Sequence, residues 1–399
     1  MSGVTKHIYE RDIMDIRAMW QEQLISITKI LPKNYTDEDV VLLLKKFYPH
    51  EWDFVQIKYD YYNKKDKAIK SRLGKSRYNM KSPLELLKTV SQYKHIMSKK
   101  AKEKYSREFA LNSVKENHEN LWKQRYPKIQ KITIKIEKAK IKTQQVTPEF
   151  IDKMIGLYER KNTTQKDKMY ILAELKKYYN RKTINFFFKL NDTELNKQLR
   201  EIAFFHLQSF NYKPRLRKQK YMQVHTKNKK RKKYMKEVYP NETYNIPQNP
   251  VELEYRIENG KEQKIKEFDY FISHSSKDSS YVQKLISYEN SHGKNIFCDW
   301  INDIDYLKRH LLCNATLKVL EKRLEQSKAI IFVSSPNSIE SKWCRYELNY
   351  FDDLGRDIYT IDRQDIEKGE FNLKPIEKSW FKNDSYREDA FLQGEKITS

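Results

Sequence analysis

The last third of the chain alternates short apolar runs with longer stretches of helical spacing. "FDYFISHSS", "KNIFCDW", "KAIIFVSSP" and "RDIYTID" each carry a compact apolar run that ends in polar residues, the pattern of buried strands. "KDSSYVQKLISYENSHG", "YLKRHLLCNATLKVLEKRLEQS" and "SKWCRYELNYFDDLG" lie between them with apolar residues at helical spacing, the first closed by Gly293. Strands alternating with helices predict a parallel sheet covered by helices on both faces. The ligand crevice of such a sheet lies at the carboxyl ends of its strands, here "SHSSKD", "DW", "SSPNS" and "ID".

Residues 1–210 read instead as almost wholly helical. "YTDEDVVLLLKKFY" has Thr36 as N-cap before an acidic first turn, and "VTPEFIDKMIGLYERK" has Thr147 as cap with Pro148 at the first helical position. "NDTELNKQLREIAFFHLQSF" reads as a further helix. "KITIKIEKAKIKT" alternates apolar and polar residues, which predicts a strand or an extended arm. "NETYNIPQNPVELEYRIENGKEQ", with Pro247, Pro250 and Gly260, reads as a linker. The expected organisation is a helical basic region over 1–210, a basic tract over 211–240, a linker over 241–265 and an α/β domain over 266–399.

One helix breaks its own pattern. Around Ser341 to Gly355, Trp343, Cys344, Tyr346, Leu348, Tyr350, Phe351 and Leu354 share one arc, and Glu347 falls in the middle of it. A carboxyl there pairs with a buried Arg, caps a neighbouring helix or faces a ligand; the pattern alone leaves the three open. Trp343, one turn earlier, is either core or the lining of the same site.

Charge divides the 399 residues sharply. The net charge of +25 splits into +28 before Lys266 and −3 from there on. Between Lys213 and Lys236 there are 12 basic residues and no acidic one, with tyrosines interleaved. Lys213, Arg215, Arg217, Lys218, Lys220, Lys229, Lys230, Arg231, Lys232 and Lys233 are the candidate contacts to nucleic acid, with phosphates taking the charge and bases stacking on Tyr; the alternative is a solvated charge run. The three cysteines, Cys298, Cys313 and Cys344, have neither disulfide-framework nor zinc spacing and read as core residues, and no metal is expected. The opening "MSGVTKHIYERD" has no apolar signal core, and no apolar run approaches a membrane span, so a cytoplasmic protein without membrane attachment is expected.

"FDYFISHSSKD", "IFCDW", "AIIFVSSPNS" and "SKWCRYELNYFD", in that order, resemble the TIR (Toll/interleukin-1 receptor) domain over about residues 266–365. The likeness is to bacterial members whose second strand ends in Asp-Trp and is followed by Asp-x-Leu-x-Arg, here Asp305, Leu307 and Arg309. The loop "INDIDYLKRH" lacks the glycine that many TIR domains carry there.

The resemblance implies a flavodoxin-like sheet and cleavage of NAD+ at its nicotinamide–ribose bond, with NAD+ as substrate and no cofactor. It matches Glu347 to the family's catalytic glutamate. Trp343, Ser273, His274, Ser275, Ser276, Asp299, Trp300 and Arg309 become candidate substrate contacts; the competing roles are a helix cap by Ser276 or Asp278, closure of the sheet by Asp299 and Trp300, and a solvated helix charge for Arg309. It also implies an NAD+ glycohydrolase (NADase), with cyclase activity as a variant, acting as an antiviral defence effector. Such an effector pairs through its TIR domains into a homo-oligomer on activation; the charge split, not the resemblance, adds the expectation that the basic region controls it through a nucleic-acid or nucleoprotein partner. The competing expectation is a non-catalytic TIR adaptor that works by association.

Overall fold

The computed structural model describes residues 4–217, 222–224, 226–307 and 313–382. Within them the chain forms two compact units, Met1–Glu137 with Gln208–Lys213 and Lys138–Leu207 with Pro214–Ser399.

The first unit is all helical: α1 (Val4–Thr28), α2 (Asp37–Phe47), α3 (Pro49–Leu73), α4 (Pro83–Leu87), α5 (Ser91–Ile96), α6 (Lys99–Arg107) and the start of α7 (Leu111–Ile141). Trp20, Leu24, Ile27, Phe47 and Val55 are fully buried in its core. Asp12 is buried with them and accepts from Lys58 Nζ at 2.8 Å and the Tyr62 hydroxyl at 2.7 Å. The expected cap at Thr36 is present, its N–H and hydroxyl both donating to the Asp39 carboxylate.

Three expectations are corrected by the helices. "KITIKIEKAKIKT" is the end of α7 rather than a strand. Ile129, Ile132, Ile136 and Ala139 also repeat at helical spacing and are partly buried, whereas the residues that completed the alternation, Ile134 and Ile141, are 44% and 47% exposed. In the second unit, α8 (Phe150–Glu159) begins past Pro148, with Glu149 rather than Thr147 at its N-cap. The helix read across "NDTELNKQLREIAFFHLQSF" is broken. After α9 (Gln165–Leu175), α10 (Arg181–Thr193) stops, and α11 (Lys197–Ser209) restarts after Glu194. The Glu194 carboxylate accepts from the Tyr158 hydroxyl at 2.7 Å, the Tyr239 hydroxyl at 3.0 Å and the Asn196 N–H at 3.1 Å. That buried set of donors holds the interruption open.

The basic tract contains α12 (Lys229–Glu237). The segment read as a linker folds as α13 (Pro250–Asn259) and α14 (Lys261–Lys264), burying Leu253 and Ile257 against Tyr306 and Val319. Its prolines serve as helix starts: Pro250 stands at N1, with Asn249 accepting from the Glu252 N–H at 2.9 Å.

The sheet has the order β2-β1-β3-β4-β5. It comprises β1 (Phe268–Ser273), β2 (Ile296–Phe297), β3 (Ser327–Ser334), β4 (Asp357–Asp362) and β5 (Lys374–Pro375). The first four are parallel, and β5 is an antiparallel edge that the apolar pattern did not reveal. Alternation sends Phe271 of β1 with Ile330 and Phe332 of β3 to one face, and Ile272 with Ile331 and Val333 to the other. After α15 (Ser279–Ser291) and α16 (Asp299–Asn302) come α17 (Asn314–Glu325), α18 (Pro336–Ile339), α19 (Lys342–Asp353) and α20 (Arg363–Lys368). α17 and α19 cover the first face; α15 and α20 cover the second. This is the expected flavodoxin-like arrangement.

A buried ionic cluster joins the helical part of the second unit to the sheet part. Lys266 Nζ donates to Glu174 at 2.8 Å, Lys177 to Glu174 at 2.7 Å and to Asp303 at 3.4 Å, and Arg323 Nε to Asp303 at 2.8 Å. Burial pushes the Lys266 ammonium down to about 8, with the neighbouring Arg323 adding to the effect. The nearby cations outweigh burial at Glu174 and Asp303 and hold both carboxyls below their ordinary range. Asp303→Ala leaves the fully buried Arg323 without its counter-charge and should cost about 3–5 kcal/mol. Removal of the exposed Asp152, which pairs with Lys182 at the surface, should cost under about 1 kcal/mol. Denaturant unfolding of the two variants checks the contrast; equal destabilisation would refute it.

Candidate active site

α19 starts where Ser341 accepts from the Cys344 N–H at 3.4 Å, and it packs against β1 and β3. That docking turns Glu347 inward at the carboxyl end of β1. The residue keeps part of its surface accessible although protein surrounds its carboxyl densely. Among the described residues no cation pairs with it. Desolvation pushes its pKa up to about 8; the nearby Asp299 charge adds to the rise, and the Ser273 hydroxyl works against it. Ser273 is itself buried; among the described residues its Oγ has no partner in strict hydrogen-bonding geometry, yet it lies near enough to Glu347 to favour the carboxylate. Cys344, one turn before Glu347, and Cys298 have thiols pushed up chiefly by burial, with the Glu347 charge contributing. Glu347 therefore stands among a serine hydroxyl and two thiols that burial keeps protonated.

α16 forms the adjoining wall. Asp299 is exposed and accepts from the Trp300 N–H at 2.8 Å. The Trp300 indole N–H donates to His274 Nε2 at 3.1 Å, which fixes the neutral tautomer with Nδ1 donating toward the Ile272 carbonyl at 3.3 Å. His274, Cys298 and Asp299 bring ligand atoms within 4.8 Å of one another, but the Trp300 N–H already occupies the His274 lone pair. Trp343 is half-buried against the core under α19, within one turn of Glu347.

The serines of "SHSSKD" divide. Ser273 faces Glu347, Ser275 accepts from the Lys277 N–H at 3.4 Å, and Ser276 opens the turn that ends at Asp278. Asp278 is fully buried and ties three strand ends together. It accepts from Ser335 Oγ at 2.6 Å, Asn337 Nδ2 at 3.4 Å and Arg363 at 3.3 Å. The structure thus brings Ser273 and Asp299 to Glu347, joins His274 and Trp300 to each other at the same strand ends, and leaves Trp343 one turn before Glu347 on α19; Arg309 lies outside the described residues.

The basic tract is distributed differently. Lys213 lies 4.9 Å over the Phe54 ring. Arg217 donates to the Asp192 carbonyl at 3.0 Å, the Arg215 carbonyl accepts from Asn191, and Arg231 donates to the Lys161 carbonyl at 3.2 Å. Lys229, Lys230, Lys232 and Lys233 are exposed on α12, while Lys218 and Lys220 lie outside the described residues.

Residues 271–384 match the family model described as TIR domain. Over 373 residues the chain is 37% identical to a putative cyclic ADP-D-ribose synthase TIR2 of Cytobacillus dafuensis, covering 94% of this chain and 95% of that protein. The chain belongs to the TIR-domain family. It is also 30% identical over 140 residues to a probable 3' cyclic ADP-D-ribose synthase ThsB' of Bacillus cereus (strain MSX-D12), covering 35% of this chain and 64% of that protein. Over 83 residues it is 31% identical to Toll-like receptor 2 of Bos taurus, 21% of this chain and 10% of that protein. No solved structure matches the chain. The likeness to the first relative thus extends over the helical region as well as the TIR domain.

A carboxyl with a raised folded-state pKa favours the native state while it is protonated. Its contribution is complete below about 4.5 and is lost as pH rises through about 8. Glu347→Gln, which cannot ionise, should therefore melt higher than wild type at pH 9 and close to it at pH 5. Calorimetry across that range checks this; parallel pH dependences would contradict the buried, unpaired carboxyl.

Proposed function

We propose that the TIR domain cleaves NAD+ at the nicotinamide–ribose bond and releases ADP-ribose in linear or cyclic form. The observation that carries this reading is Glu347: a carboxyl without a cation partner among the described residues, at the strand ends, beside the Ser273 hydroxyl and one turn from an indole. The names of the two bacterial relatives support it.

The chemistry follows from the charges. With its pKa pushed up to about 8, Glu347 is largely protonated at neutral pH when no cation stands beside it. A bound pyridinium ring supplies the missing cation and favours the carboxylate. When the C–N bond breaks, its electron pair neutralises the pyridinium and positive charge builds on the ribose. A carboxylate held beside that ribose in a poorly solvated pocket stabilises this charge and accepts from a ribose hydroxyl. Asp299 adds a second negative charge nearby, and Trp343 offers a flat face to the ring. Water then completes hydrolysis, or a nucleophile elsewhere in the same ADP-ribose completes cyclisation.

The wider role proposed is a defence effector whose basic region binds nucleic acid or a nucleoprotein and gathers TIR domains into an active assembly. The charge split and the exposed lysines of α12 support it.

Purified protein incubated with NAD+, with and without nucleic acid, should release nicotinamide. Glu347→Gln should lower the rate by about 10²-fold or more while keeping the fold. Equal rates for wild type and a folded Gln variant would refute the assignment.

Neutralising Lys229, Lys230, Lys232 and Lys233 together should weaken RNA or DNA binding and flatten its salt dependence, by a log–log slope of roughly 0.7–0.9 per lost phosphate contact. Binding insensitive to salt and to these changes would show α12 to be merely solvated.

A further inference from the structure

Gln144 lies between α7 and α8, far upstream of the residues that match the TIR family, and it is fully buried. Its backbone is clamped: its N–H donates to the Lys177 carbonyl at 2.8 Å, and its carbonyl accepts from the Tyr179 N–H at 2.9 Å. Its side chain reaches the open side of β2, the edge strand of the sheet. Oε1 accepts from the Ile296 N–H at 3.0 Å, and Nε2 donates to the Ile296 carbonyl. A neighbouring strand would engage the same two groups of one residue. The amide orientation is settled by those partners, since the flipped form would set donor against donor and oxygen against oxygen.

The same amide continues into the site wall. Nε2 also donates to Asn302 Oδ1 at 3.2 Å, and that oxygen accepts from the Cys298 N–H at 2.9 Å, closing the turn of α16 on itself. Among the described residues Asn302 Nδ2 has no partner, so the side chain's hold on the turn passes through this one oxygen, beside the backbone bond from the Asn302 N–H to the Cys298 carbonyl at 2.8 Å. Asn290 Nδ2 donates to Gln144 Oε1 at 3.2 Å and steadies the amide from the α15 side. α16 begins with Asp299 and Trp300, the residues that stand beside Glu347 and His274.

We propose that Gln144 is a positioning residue of the NAD+ site: its side-chain amide replaces a missing strand at the β2 edge and, through Asn302, holds the turn that presents Asp299 and Trp300. The consequence is that the TIR domain's substrate wall is built partly by the helical region of the chain. This rests on the NAD+-cleaving reading, but the structural half can be tested without it.

The full-length chain should be compared as wild type, Gln144→Met, Asn302→Ala, the double variant and, as a control, the exposed Gln145→Ala. If the amide positions the wall, Gln144→Met should raise KM for NAD+ by 5-fold or more. Asn302→Ala should do the same, and the double variant should be no worse than the poorer single. A residue that only stabilises the fold would lower the amount of active enzyme and leave KM unchanged, as Gln145→Ala should. Hydrogen exchange of the peptide over 296–303 supplies a second readout: Gln144→Met should speed it at least 10-fold relative to wild type while other sheet peptides stay protected. Unchanged KM with activity lost, additive effects, or unchanged exchange over 296–303 would overturn the proposal. A wild-type chain that releases no nicotinamide would refute the NAD+ reading, and the exchange result would still decide the role of Gln144.

Discussion

Everything at the candidate site follows from one unpaired charge. Glu347 occupies a position that helix geometry reserves for apolar residues, and no described cation balances it. A carboxyl in that setting keeps its proton until a positive ligand arrives. The surrounding residues preserve this condition rather than relieve it: the thiols of Cys298 and Cys344 stay neutral, Ser273 offers only a dipole, and Asp299 is itself negative. In the proposed reaction this suits the site to charge that appears only when a cationic substrate binds and its glycosidic bond stretches.

Holding such a carboxyl unpaired requires rigid walls. Asp278 joins the ends of β1, β3 and β4 through Ser335 and Arg363, fixing the crevice floor. On the other side, Asp303 follows directly after α16 and is locked by Arg323 and Lys177, whose network continues through Glu174 to Lys266. Gln144 secures the same turn from its other end. Residues of the helical segment 138–207 are therefore structural partners of the sheet. This agrees with the relative of Cytobacillus dafuensis, whose likeness spans nearly the whole chain.

The α/β part was legible because its physics is local. Continuous apolar runs marked β1 and β3, Gly293 and Gly355 closed helices in the left-handed conformation, and the inward Glu347 was visible as a fault in an otherwise clean amphipathic helix. The helical region was less legible, for reasons that differ by segment. In "KITIKIEKAKIKT" isoleucines satisfied two periods at once, and only packing chose the helix. The break at Glu194 depends on Tyr158 and Tyr239, distant in sequence. Pro250 marked a helix start in a segment that composition presented as a linker. Gln144 carried no signal at all, since one glutamine in a loop becomes meaningful only when β2 lies opposite it.

The central claim is that catalysis waits on ionisation of this one carboxyl. Its most direct test is the pH dependence of kcat/KM for NAD+ between pH 5 and 9.5, which reports groups of the free enzyme. The account expects a rise that levels off with a midpoint near 8, the value to which burial pushes Glu347. A profile that is flat across this range, or that falls as pH rises through 8, would contradict it.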